Sequence, residues 1–201
     1  MAPLESWQIV LVNNSFISST HGQLGCTTCH KGDPDATNKT EAHVGLVSMP
    51  SDIEDSFCAS CHAKTYESHK NGLHANLTGY YKAIEKRLGY DVSNDEHIVT
   101  EFNKECGKCH ASCGQCHISR PVSVNGGFIA GHNFNKEPDM KNNCTACHGS
   151  RVGAEYFGEN EGIKADVHWI PNVKRCVFCH TAESMHGSTA GAEHRYDDAD
   201  M

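Results

Sequence analysis

The chain is 201 residues long with a formal charge of -8, and Leu, Ile, Val and Phe together supply only 35 residues, about 17% of it. A charged chain below roughly 20% in those four residues does not build a core from its own side chains, so apolar surface has to come from elsewhere. The acidic balance argues against a nucleic-acid partner, and the longest clean apolar stretch, Ile9 to Val12, is far short of the ~20 residues that cross a bilayer.

The cysteines say what the missing surface is. All 12 lie in six copies of Cys-x-x-Cys-His, beginning at 26, 58, 106, 113, 144 and 176. This is the attachment pattern of c-type haem: two thiols reach the two vinyl groups of one porphyrin, and the next histidine is held under the ring where its imidazole binds iron. Zinc needs paired knuckles or a distant histidine pair, and gives no reason for a histidine after every second cysteine. A thioredoxin-like site needs one motif in a βαβ setting, and structural disulfides would leave six histidines unexplained. The expectation is six covalent haems, tethered by Cys26, Cys29, Cys58, Cys61, Cys106, Cys109, Cys113, Cys116, Cys144, Cys147, Cys176 and Cys179, with His30, His62, His110, His117, His148 and His180 as iron ligands. The porphyrins then form the core, and the apoprotein is expected to be disordered.

In chain order, Met1 to Gln8 has no charged segment leading into a hydrophobic one. Covalent haem attachment takes place outside the cytoplasm, so a signal peptide is expected to have been removed and the compartment to be periplasmic or extracellular. A loop is expected at Asp33, Pro34 and Asp35. Ser51 and Glu54 after Pro50 have the form of a capping box, which predicts a helix carrying Cys58, Cys61 and His62 and stopping at Gly72. Leu73, Leu77, Ile84 and Leu88 predict a second helix ending at Gly89. A third starts near Asn94 and carries Ile98 and Phe102 into the double motif at 106 to 117. These apolar stripes are expected to pack mainly on porphyrin, with helix-to-helix packing as the alternative.

In the double motif, corresponding residues are seven apart. Seven helical residues advance about 10 Å while rotating by about 20°, so the third and fourth haems should be neighbours. Gly107 and Gly114 suit a ring lying against the backbone. Val124 to Gly131 and Gly158 to Gly162 read as loops. The whole of 1–201 is expected to be one domain, with possible lobes at 1–95, holding haems 1 and 2, and 96–201, holding haems 3 to 6.

Nine histidines lie outside the motifs, three more than six second axial positions require. His21, His132 and His186 adjoin glycines that let backbone approach a ring, His43 lies between the first two motifs, and His168 precedes Trp169. His74 is preferred to His69, because His69 on one helix with His62 would share its face. The expected distal set is His21, His43, His74, His132, His168 and His186, with His97 and His194 weaker. Met49, Met140 and Met185 could replace a histidine, but the histidine surplus makes that unnecessary.

The stretch Cys106 to Pro121, with Gly131-His132, Cys144 to Gly149, Asp166-Val167-His168 and Met185-His186-Gly187, resembles the multihaem c-type cytochromes. The resemblance implies a mainly α fold with much coil, its short helices wrapped around a stacked chain of bis-histidine haems, carrying electrons in respiration or to external acceptors. Some members of that group polymerise into extracellular filaments through a histidine donated to the next subunit; related folds include reductases with one open haem.

The reading is therefore an electron carrier and not an enzyme, its partners being redox proteins or external electron acceptors. Its rivals are a reductase of a nitrogen or sulfur oxyanion, and a homopolymer joined by haem contacts through His21 or His194. No motif here ends in the lysine that marks the catalytic haem of one nitrite-reductase group.

Overall fold

The structure is a computed structural model, and it describes residues 12–52, 57–105, 111–169 and 174–187. Its architecture is a succession of short helices joined by turns: α1 (Asn14–Ile17), α2 (Cys26–His30), α3 (Lys39–Ala42), α4 (Ala63–Asn71), α5 (Leu73–Asn76), α6 (Thr78–Leu88), α7 (Glu96–Glu105), α8 (Cys113–His117), α9 (Thr145–His148), α10 (Ala154–Phe157), α11 (Cys176–Cys179) and α12 (Ala182–His186). Among the described residues the only β pairing is two isolated bridges, Ser119 with Phe128 and Ala130 with His132. No described helix is long and apolar enough to cross a membrane.

Local sequence sets where these helices begin and end. Asn13 and Asn38 cap α1 and α3 by accepting from the backbone N–H three residues on, and Thr181 caps α12 in the same way. Gly72 ends α4, as the sequence predicts. Gly89 ends α6 in the left-handed conformation, φ 80°, which only glycine adopts without cost. Three sequence expectations are corrected. The helix after Pro50 does not carry the second motif: Phe57–Ser60 is a 3-10 turn, His62 occupies the N-cap, and α4 begins at Ala63. The helix foreseen from Leu73 to Leu88 is broken at Leu77, whose φ of 57° ends α5 and starts α6 in a new direction. The third helix, expected to start near Asn94, starts at Glu96, two residues on, where the Asp95 carboxylate accepts the Ile98 N–H at 3.1 Å. Glu54 and the third motif, Cys106 to His110, lie outside the described residues.

Apolar burial is as sparse as the composition requires. Among the described residues only Leu77, Val92, Phe102 and Met140 are buried hydrophobics, while Val44, Val167 and Phe178 are 60–73% exposed. Phe102 on α7 packs on Tyr81 of α6, centroids 4.5 Å apart, and on Tyr80 at 6.0 Å. For this residue the helix-to-helix alternative holds.

A polar network does part of the work of a core. Gln115 on α8 is 5% exposed; its side-chain carbonyl accepts the Val122 N–H at 2.9 Å and its amide donates to Asp52 at 3.4 Å. Asp52 also accepts from Ser112, and Ser51 and Ser112 share a hydrogen bond of 3.0 Å. Asn143, 4% exposed, donates to the carbonyls of Gln115 and Ser119, both at 2.8 Å. The fourth motif is thereby tied to the segments that lead into the second and the fifth. This also bears on Gly114: a Cβ there would run into Ser51 Oγ, so a serine makes a close approach at this position.

Candidate metal centres

The described attachment motifs are built on helical turns: α2 and α8 hold a whole motif each, while the turn Phe57–Ser60, α9 and α11 hold most or part of the second, fifth and sixth. A helical turn places residues three and four apart on one face. Cys-x-x-Cys-His therefore presents two thiols and an imidazole to the same side. The motifs also adjoin one another. Cys29 is held above the usual thiol range by burial and by the nearness of Cys58, Cys26 and Cys61. Cys113 lies beside Cys58, and Cys144 lies beside Cys176. Cys116 is pushed up to about 11 by burial and by Cys147. Read along these contacts, the tethers follow the order first, second, fourth, fifth, sixth.

The imidazoles form pairs. Ring centroids are 6.1 Å apart for His30 and His132, 6.2 Å for His21 and His62, 6.1 Å for His74 and His148, and 6.1 Å for His117 and His186. Each pair joins a motif histidine to one from elsewhere in the chain. Two imidazoles bound on opposite faces of one metal ion have centroids about 6.2 Å apart, given a metal–nitrogen bond of about 2.0 Å and about 1.1 Å from that nitrogen to the ring centre. The four spacings fit a bis-histidine haem iron.

Orientation of the rings supports the same fit. Metal-binding histidines usually donate their second ring N–H to a carbonyl or carboxylate, which leaves the other nitrogen for the metal. His30 Nδ1–H donates to Val47 O at 2.7 Å, and His117 Nδ1–H donates to Asn135 O at 2.7 Å. His168 Nδ1 is held the same way by Asp166 at 2.8 Å, on an exposed 3-10 turn, Val167–Trp169. His74 is lowered to about 4, first by burial and then by His148 and its other histidine neighbours, so at neutral pH its ring carries a free nitrogen lone pair.

His69 is the informative contrast. Its ring lies 6.4 Å from that of His186, but its Nε2 is engaged with Ala111 O at 3.0 Å. His74, preferred on sequence, is the one that faces a motif histidine. The reason differs from the one sequence suggested: His62 is a cap and not a member of the helix, and the ring that His69 faces, His186, is not a motif histidine. His186 is set beside His69 by the contact of Gly187 with Gly72, where a Cβ would come within 2.8 Å of Gly72 Cα and of Ser68 O.

Two expected distal residues are not brought against a motif histidine ring among the described residues. His43 is exposed at the C-terminal end of α3, and His168 is exposed beside Asp166. His97 is exposed on α7. His110 and His194 lie outside the described residues, as do Cys106 and Cys109. Sequence reasoning missed Phe16, Phe128 and Phe134, which surround the rings of His21 and His132, and the buried Gln115 and Asn143. Gln115 occupies a position that its motif leaves open to any residue, and no spacing marks the others.

Comparison with curated proteins and with solved structures finds no match. Residues 57–149 match the family described as Cytochrome c554 and c-prime. The matched span, a little under half of the chain, contains the second, third, fourth and fifth attachment motifs. Together with those motifs, the match supports a c-type cytochrome, a protein that holds covalently attached haem and transfers electrons.

Proposed function

We propose that the chain is a hexahaem electron carrier, with each attachment motif holding one haem c and bis-histidine coordination throughout. The observation that carries this reading is the set of four imidazole pairs 6.1–6.2 Å apart, each uniting a motif histidine with a distal one. The assignments are His30 with His132, His62 with His21, His117 with His186 and His148 with His74; His43 and His168 are kept for the two remaining sites, those of His110 and His180. Bound haem supplies one-electron iron chemistry. The chain's own residues hold the ligands on both faces, orient them through Val47 O and Asn135 O, and leave no position for a substrate to reach the metal.

Adjacency of the cysteines supports a closely spaced series of haems through one unit. Two of the four histidine pairs, His30 with His132 and His74 with His148, join residues before 95 to residues after it, which favours a single domain over separate lobes. We place its work in the periplasm or outside the cell, passing electrons between redox proteins or to external acceptors. His21 lies against His62 of its own chain, so donation of His21 to a neighbouring subunit is the less favoured use of it.

The test is the optical and magnetic spectrum of the oxidised holoprotein. A purely low-spin spectrum with no carbon monoxide binding is expected. A high-spin signal equal to one full haem would overturn the carrier and favour an oxyanion reductase.

A further inference from the structure

Four consecutive residues, His132 to Asn135, reach three of the imidazole pairs. His132 itself faces His30 at 6.1 Å. Asn133 accepts a hydrogen bond from Ser15 at 3.1 Å, which ties the strap to α1. Asn135 holds His117 from both ends: its O accepts from His117 Nδ1, and its N–H donates to His117 O, each at 2.7 Å. Between them, Phe134 lies face to face on His21, centroids 3.9 Å apart and planes 11° from parallel. The entry to the strap is Gly131, whose φ of 60° turns the chain sharply into it.

The Phe134 contact is unlike ordinary core packing. Phe134 keeps 39% of its surface exposed. One ring face lies on His21, and Phe16 of α1 is offset at 6.4 Å, nearly parallel. Phe16 in turn lies 5.3 Å from His132, which Phe128 flanks at 4.5 Å. Where His30 and His117 are oriented by carbonyls, His21 is oriented by an aromatic face. An imidazole bound to iron can rotate about the metal–nitrogen bond, and a parallel ring stacked on it selects one rotation. Ligand-plane orientation and the polarity around a ligand are among the means by which a protein tunes a haem.

We propose that Phe134 is a positioning residue for the His21–His62 site, fixing the plane of the His21 imidazole by stacking and shielding it from water, on a strap that also serves the His30 and His117 sites. The proposal rests on the reading of His21 as an axial ligand. Loss of the ring frees His21 to rotate and to leave the metal more often.

The experiment uses the full haem-loaded chain with three variants, Phe134→Ala, Phe134→Tyr and His21→Ala. In Phe134→Ala, one low-spin signal in the electron paramagnetic resonance spectrum should move while the others stay. Carbon monoxide association with the reduced protein should rise by roughly three- to tenfold at one site, the factor that one aromatic stack represents. Phe134→Tyr, which keeps the ring face, should restore both readouts, whereas a purely structural role would lower thermal stability without moving a single magnetic signal. His21→Ala should open one full carbon monoxide site; if it does not, the ligand reading fails and the proposal fails with it. If His21→Ala opens the site while Phe134→Ala leaves spectrum and association rate unchanged, the proposal alone is overturned.

Discussion

Asn143 offers the sharpest test of how this chain holds itself together without an apolar core. Its side chain is 4% exposed and makes three hydrogen bonds: Nδ2 donates to Gln115 O and to Ser119 O at 2.8 Å each, and Oδ1 accepts the Asp139 N–H at 2.8 Å. Asn143→Ala leaves two carbonyls and one amide without those partners, next to the fifth attachment motif. At about 1 kcal/mol net for each bond, the expected loss is about 3 kcal/mol. For a chain of this length each kcal/mol moves Tm by roughly 2–4 °C, so the drop should be about 6–12 °C. Asn143→Asp keeps the acceptor for Asp139 N–H but turns a carboxylate oxygen on two carbonyls, and is expected to be worse than alanine at neutral pH. The assay is thermal unfolding of the holoprotein by far-ultraviolet circular dichroism, at haem content matched to the parent. A drop smaller than about 2 °C for Asn143→Ala, or an Asp variant more stable than the Ala variant, would refute the view that this network carries the fold.

Because every cysteine sits in an attachment motif, intact mass after acid denaturation should show six covalent haems and no alkylatable thiol; a mature protein with five or fewer would contradict the count. His132→Ala should convert one haem to a carbon monoxide-binding, high-spin site at a stoichiometry of one per chain, and an unchanged spectrum would remove His132 from the ligand set. Phe102→Ala, which deletes a 4%-exposed ring packed on Tyr81, should cost about 3–5 kcal/mol, read as a lower midpoint in guanidinium unfolding of the holoprotein; a cost below about 1 kcal/mol would mean that α6 and α7 do not depend on that contact.

The sequence by itself determined the chemistry that is local. Two cysteines three apart and a histidine one further on fit a single helical turn, and the described motifs adopt such turns at Cys26–His30, Cys113–His117 and Cys176–Cys179. Helix stops at Gly72 and Gly89 were equally legible, and at Gly89 the φ of 80° is the backbone freedom that a single glycine supplies. Lack of an apolar core followed from composition alone, and only four hydrophobic side chains are buried among the described residues. What sequence could not supply was which imidazoles face which. His30 and His132 are 102 residues apart, and His74 meets His148 across 74; pairing of that kind is a product of the folded path, on which no local spacing reports. Tertiary structure also decided that His69 is held on Ala111 O, that Gly114 makes room for Ser51, and that Phe134 lies on His21. Each of these is a contact between residues far apart in the sequence. Their roles come from three-dimensional proximity, which in a chain this poor in apolar residues is set by polar ties and ring contacts that leave no periodic trace.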